Sequence, residues 1–275
     1  MEKRSIPTAV TYLIFVQIFA VLLTVQALSI EAIPEPYQPF GGETVTQATA
    51  NSLLLLLLVV TITLVFIFLI LKLRFLFAHV IIFLSIFAAF FITLFYAVII
   101  TSSLLALPLT IMLILILLYG LVKNIYPIVI FSIFLVSAEI GSYLSLILLP
   151  PTLFILPLVF SVYDIYAVFK GPLKTLIKIL APRRNMKKAT SRIFGLFLAY
   201  VGGFGIGTGD LIFSAMLVSA AYILIGLIGI VAVGIAVNIG FLITLKLLVK
   251  YKRPIPALPI SMFLGTLVFI LLYYF

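Results

Sequence analysis

The chain of 275 residues has no cysteine, no tryptophan and a single histidine, His79. Without cysteine there is no disulfide, no thiolate nucleophile and no thiolate metal site. One imidazole close in sequence to Lys72 and Arg74 reads as a residue at a helix end and makes no metal cluster, so neither a metal nor a cofactor is expected. Charge is scarce as well. Only 9% of residues are charged, against about 25% in a soluble domain, while 65% are hydrophobic and the mean hydropathy is +1.45. Short alternating segments of the kind that build an outer-membrane barrel are missing. What is present is a series of apolar runs longer than the roughly 20 residues that cross a bilayer as helix. The composition therefore gives an all-α polytopic membrane protein. The formal charge of +10 does not argue for nucleic acid, because the bases stand at the ends of apolar runs, where membrane orientation accounts for them.

Lys3 and Arg4 precede an apolar run from Thr8 to Ile30, which is too long for the core of a signal peptide and reads as a retained first span. Glu31 to Ala50 holds Pro34, Pro36, Pro39, Gly41, Gly42 and three acids, a polar loop with turn formers. Further spans are expected at about 51–71, 75–100, 104–122, 125–149 and 152–169. A basic segment from Lys170 to Arg192 follows. The 44 residues from Gly202 to Leu245 carry no charge but Asp210, and at helical rise they would extend about 66 Å against a hydrocarbon core of about 30 Å. They must cross twice, with a division expected near 219–222, and a last span runs from about Ile255 to Tyr274. Nine spans result. With nine, all 17 basic residues fall on one side, so the N-terminus is expected in the cytoplasm and the C-terminus outside. The whole of 1–275 reads as one membrane domain: spans one to six in 1–169, a basic cytoplasmic loop in 170–192 and spans seven to nine in 193–275.

Three acids lie within apolar segments: Glu139, Asp164 and Asp210. An Asp at the centre of a spanning helix costs about 2.5 to 3.5 kcal/mol on insertion scales, so such residues face an interior and serve a function there. The expected topology runs the sixth and seventh spans in opposite directions. It places Asp164 and Asp210 each about 8 Å from the cytoplasmic boundary, with Glu139 at roughly 21 Å. Glu139 is thereby assigned to packing or a local hydrogen bond, beside a small-residue face of Ser137, Gly141 and Ser145; Ala232, Ala236 and Gly240 form a second such face. Two carboxyls at one depth can share one proton, as in an aspartic protease, but paired acids also serve ion- or proton-coupled transporters. An inverted repeat would mark a transporter, and the two halves show none.

The local sequences add to this. Tyr163-Asp164, Gly207-Thr208-Gly209-Asp210 and Pro256-Ala257-Leu258-Pro259 resemble, in order, the YD, GxGD and PALP motifs of the presenilin family, and Lys170-Gly171-Pro172-Leu173 is similar to the family after its sixth span. The resemblance implies a nine-helix intramembrane aspartyl protease acting on single-span transmembrane substrates in the lipid bilayer. It makes Asp164 and Asp210 the catalytic pair, with Tyr163, Gly207, Gly209, Pro256, Ala257, Leu258 and Pro259 lining the site. Signal peptide peptidases share YD and GxGD but are inverted in the membrane and lack the second proline of PALP; the basic residues and Pro259 favour presenilin. The short basic loop and the lack of a long polar N-terminal tail imply a compact microbial homologue in the cell membrane. Such a homologue is expected to work without the accessory subunits of γ-secretase; self-cleavage of the loop stays open.

Gly203, Gly205, Gly207 and Gly209 recur with period two before Asp210. That spacing suits extended backbone which a second strand can approach closely. Without substrate the segment is expected to be irregular.

Overall fold

The computed structural model describes residues 5–41, 44–72, 74–101, 103–123, 125–171, 198–251 and 255–275. The basic loop from 172 to 192 lies outside the described residues, as do Lys3, Arg4, Lys252 and Arg253. Nine α-helices are found among the described residues: α1 (Ile6–Ser29), α2 (Val45–Lys72), α3 (Arg74–Ile100), α4 (Ser103–Lys123), α5 (Tyr126–Ile147), α6 (Thr152–Phe169), α7 (Thr208–Ile225), α8 (Leu227–Tyr251) and α9 (Leu258–Tyr274). Eight are long and apolar enough to span a membrane, and α9 is an apolar helix of 17 residues. Two short strands, β1 (Leu198–Val201) and β2 (Phe204–Gly207), form an antiparallel hairpin directly before α7.

The helix ends follow local chemistry. Ser5 caps α1, its hydroxyl accepting from the Thr8 amide at 3.4 Å, and Pro7 sits in the first turn, where a missing N–H costs nothing. The polar loop after α1 is stapled by Asn51. Its side chain accepts from the Phe40 amide at 3.1 Å and donates to the Gly41 carbonyl at 2.6 Å, which explains why α2 begins at Val45, ahead of the expected start at Asn51.

Two expectations are corrected here. The division between the seventh and eighth spans falls at Gly226, with φ of +85°, and not at 219–222, which lies inside α7. Glycine reaches that left-handed conformation without penalty, whereas Ser219 to Tyr222 contain no residue that would end a helix. The segment before Asp210 is extended, as its glycine period suggests, but it is an ordered hairpin and not irregular. Gly202 and Gly203, at φ of +59° and +76°, supply the two positive-φ positions that a two-residue hairpin turn requires. The seventh helix consequently starts at Thr208, and Asp210 is its third residue.

Helix α7 is the hub. From Phe213 to Ala221 every residue is buried, and α7 packs against α1, α5, α6, α8 and α9. Such all-round burial needs small contacts. A Cβ on Gly141 of α5 would stand 2.5 Å from the Ala215 Cβ and 2.8 Å from the Ile212 carbonyl oxygen of α7. At the α8–α9 crossing a Cβ on Gly240 would stand 2.4 Å from the Ser261 Cα. These are the two small-residue faces expected from sequence, and they bring backbones together where apolar burial alone gives no selectivity between helices in lipid. Around this interior the outer helices expose Leu53, Leu57, Leu58, Phe83, Phe87 and Leu104, the apolar coat of a membrane protein.

The packing gives a clean comparison. Gly141→Ala should destabilise the purified protein by about 1 to 3 kcal/mol, since backbone atoms cannot withdraw from the new methyl. Gly234→Ala meets only the Val218 methyls at 4.0 Å and should be neutral, or more stable by up to about 1 kcal/mol through helix propensity. Unfolding followed by circular dichroism in detergent checks both.

Candidate active site

Asp210 owes its position to the junction of two elements. Gly207 is at once the last residue of β2 and the N-cap of α7, so no linker separates the hairpin from the helix. Three residues on, the Asp210 carboxylate turns back toward the Gly207 amide, and a Cβ on Gly207 would lie 3.2 Å from Oδ2. That is half of a capping box, an acid at the third helical position reaching back to the N-cap amide. It also places a negative charge at the positive end of α7. Gly209, the residue before Asp210, has no described atom within 4 Å of where its Cβ would be.

Asp164 stands in the last turn-and-a-half of α6, four to five residues before the helix ends at Phe169. It meets a second helix start. Oδ2 accepts the backbone N–H of Leu258, the first residue of α9, at 3.3 Å, and the Ala257 amide also faces the carboxylate. Pro256 is buried and Pro259 occupies the first turn of α9, so the only amides presented at this helix start are those between the prolines and just after them. The two carboxylates are close enough for Asp164 to act electrostatically on Asp210.

Of the residues expected from sequence, the structure thus brings Asp164, Asp210, Gly207, Gly209, Ala257, Leu258 and the two flanking prolines to one place. Tyr163 is half-buried with its hydroxyl in the interior, on the residue next to Asp164. Glu139 is elsewhere: it is 3% exposed on α5, and its Oε2 accepts a hydrogen bond of 2.8 Å from Thr93 of α3. No group of three or more metal-ligating side chains occurs among the described residues. Strand β1 and its pairing with β2 were not read from sequence. The signal available was Gly202-Gly203 between Leu198–Val201 and Phe204–Gly207, two four-residue runs flanking a turn dipeptide.

The arrangement matches known proteins in sequence and in fold. Residues 188–275, which hold Gly207 to Asp210 and Pro256 to Pro259, match the Presenilin family model. Presenilin-B of Dictyostelium discoideum is 34% identical over 149 residues, covering 51% of this chain and 30% of that relative, so the match spans under a third of the relative's length. A presenilin family intramembrane aspartate protease solved in the C222 space group superposes with a TM-score of 0.61 at 21% identity, over 96% of each chain. The same description applies to a structure in the P2 space group, at a TM-score of 0.59, again with 21% identity and 96% of each chain. The chain is thus a multi-pass membrane protein that is similar to the presenilin family in its carboxy-terminal third and shares the fold of presenilin-family structures over nearly its full length.

Proposed function

We propose that this protein is an intramembrane aspartyl endopeptidase that hydrolyses peptide bonds within single-span transmembrane substrates. One observation carries the proposal: two carboxylates from adjacent spans lie within electrostatic reach of each other, each backed by the amides of a helix start. In this reading Asp164 and Asp210 hold one proton between them. The ionised member takes a proton from water as that water attacks the scissile carbonyl, and the protonated member donates to the carbonyl oxygen. When the tetrahedral intermediate collapses, a proton passes to the leaving amine and the pair is reset. Gly207, Gly209, Tyr163 and the Pro256 to Pro259 turn line the site.

Substrate entry has its own support. A peptide bond inside a helix is shielded by its own hydrogen bonds, so cleavage needs unwinding, and unwound backbone in lipid must be paired at once. Among the described residues the sheet has two strands, so β2 keeps one edge without a partner. In a two-residue hairpin Val201 and Phe204 close the turn, and alternation then turns the backbone groups of Gly205 and Gly207 toward that edge. The Asp210 carboxylate sits against the Gly207 amide, on the same edge. A substrate strand added there runs past the dyad, and the bare glycine face admits it closely. The shortness of the basic loop favours a compact unit in a microbial cell membrane that works without accessory subunits, and the one-sided basic residues support a cytoplasmic N-terminus and an external C-terminus.

Asp164→Asn and Asp210→Asn should each lower cleavage of a single-span peptide by at least about a thousandfold, and the double variant should be no worse than either, since the two act as a unit. Mass spectrometry of the products decides. Cleavage by either single variant above about a thousandth of the wild-type rate rejects the pair.

The single-turnover rate should trace a bell in pH. Below both apparent pKa values neither carboxyl can act as base, so the rate rises with pH; above both neither can act as acid, so it falls. A rate independent of pH would count against a shared proton.

The absence of native cysteine makes orientation directly measurable. Asn185→Cys should react with an impermeant maleimide only after the cytoplasmic face is opened, and Glu35→Cys, exposed in the loop after α1, should react in intact cells. The opposite pattern would assign the inverted orientation of the signal peptide peptidases.

A further inference from the structure

The hairpin that delivers Asp210 is itself held by groups far away in sequence. Ser5 is the N-cap of α1, and its hydroxyl is engaged with Thr8. Its backbone N–H lies outside the helix ladder and is left over. That N–H donates to the Gly202 carbonyl at the hairpin tip, at 2.7 Å. The fit is close: a Cβ on Gly202 would stand 2.4 Å from the Ser5 carbonyl oxygen and 3.2 Å from the Thr8 Cβ. Along β1 a second hold comes from α5, where the Tyr126 hydroxyl donates to the Tyr200 carbonyl at 3.3 Å and the two rings lie 6.5 Å apart. Below the tip, Ala9 and Leu13 of α1 share one core cluster with Ala199, Val201, Phe204 and Ile206. The tip and β1 are therefore fastened to α1 and α5, while among the described residues the outer edge of β2 carries no strand.

We propose that Ser5 and Gly202 are positioning residues: the start of α1 clamps the hairpin tip, and through β2 this clamp fixes both the place of Asp210 and the register of a strand laid along β2. The transmission is short. Gly207 joins β2 to α7 without a linker, so a shift of the hairpin along its own axis becomes a shift of the Asp210 carboxylate. Pro at position 5 would delete the clamping N–H, and Ala at 202 would press on Ser5 and strain a left-handed residue. A displacement of 1 Å at a reacting group is enough to cost on the order of 100-fold in rate. The catalytic half of this inference rests on the protease reading above; the clamp itself does not.

Four variants separate the possibilities. Gly202→Ala and Gly203→Ala impose the same left-handed strain on neighbouring turn residues, but Gly203 is exposed and outside the clamp. Ser5→Pro removes the clamping N–H, and Ser5→Ala removes only the capping hydroxyl. Deuterium exchange over Leu198–Gly207 reads the clamp without reference to catalysis: Gly202→Ala and Ser5→Pro should speed it at least about fivefold relative to Gly203→Ala and Ser5→Ala, the worth of one net backbone hydrogen bond. Per folded molecule, cleavage by the first two should fall about 10- to 100-fold. Their products should also spread over more peptide bonds, an effect that mere loss of folded enzyme does not produce. Equal exchange in Gly202→Ala and Gly203→Ala would overturn the clamp even if Ser5→Pro does not fold. Faster exchange with unchanged rate and unchanged product termini would overturn the positioning role. Failure of the protease reading shows separately, as wild-type cleavage that is absent or survives Asp210→Asn.

Discussion

Backbone that is not helical must have its N–H and C=O groups satisfied by protein when it lies in a membrane, and this constraint governs the whole site. Two non-helical stretches lead into it, the β1–β2 hairpin before Asp210 and the turn from Ile255 to Ala257 whose amides face Asp164. Each is resolved differently. The hairpin pairs with itself and borrows the spare amide of Ser5 and the hydroxyl of Tyr126. The turn before α9 uses prolines to remove donors and gives the remaining amides of Ala257 and Leu258 to Asp164. Everything that brings the two aspartates together follows from where these irregular pieces can be accommodated, which is at the foot of α7, the most enclosed helix of the bundle.

Much of this was legible in the sequence because membrane helices announce themselves through length and apolarity. The nine helices, the pairing of Asp164 with Asp210, and the separation of Glu139 all follow from counting residues at helical rise. The small-residue faces at Gly141 and Gly240 were legible for the same reason, since only small side chains let helix backbones touch in lipid. What escaped was set by single glycines and by contacts distant in the chain. Gly226 ends α7 by adopting a positive φ, a choice that composition does not reveal among several glycines nearby. Strand β1 was invisible because four apolar residues in an apolar protein give no contrast; only its pairing with Phe204–Gly207 makes it a strand. The contact of Ser5 with Gly202 joins residues almost two hundred positions apart, which no local pattern can encode.

The glycines before Asp210 show how one spacing serves several demands. Gly205 and Gly207 lie on the face of β2 that carries no bulk, while Phe204 and Ile206 point into the core. At Gly205 the ring of Tyr200 from the paired position of β1 lies across the gap, 3.3 Å from where a Cβ would be, so part of the glycine face is covered by an aromatic. Among the described residues Gly207 is bare except for the Asp210 carboxylate, and Gly209 meets nothing. Openness therefore increases along the strand toward the acid. A side chain at 207 would press on the carboxylate itself, whereas one at 209 would take space that none of the described residues occupies.

An acid in the first turn of a helix has an ordinary structural use, and Asp210 on the Gly207 amide fulfils it. So does Asp164 at the start of α9. Capping alone, however, explains neither the choice of partner nor the place. Helix starts in this chain are otherwise served without intramembrane acids: α1 uses Ser5, and α5 starts from Ile125 with no side-chain cap at all. Two ionised acids within electrostatic reach oppose one another by like charge, which capping does not relieve. In the proposed mechanism one shared proton removes that opposition, and the amides at Gly207 and Leu258 back the two carboxylates. On the proposed protease reading, a pair that can exchange a proton in either direction is what hydrolysis of a peptide bond asks of two carboxyl groups.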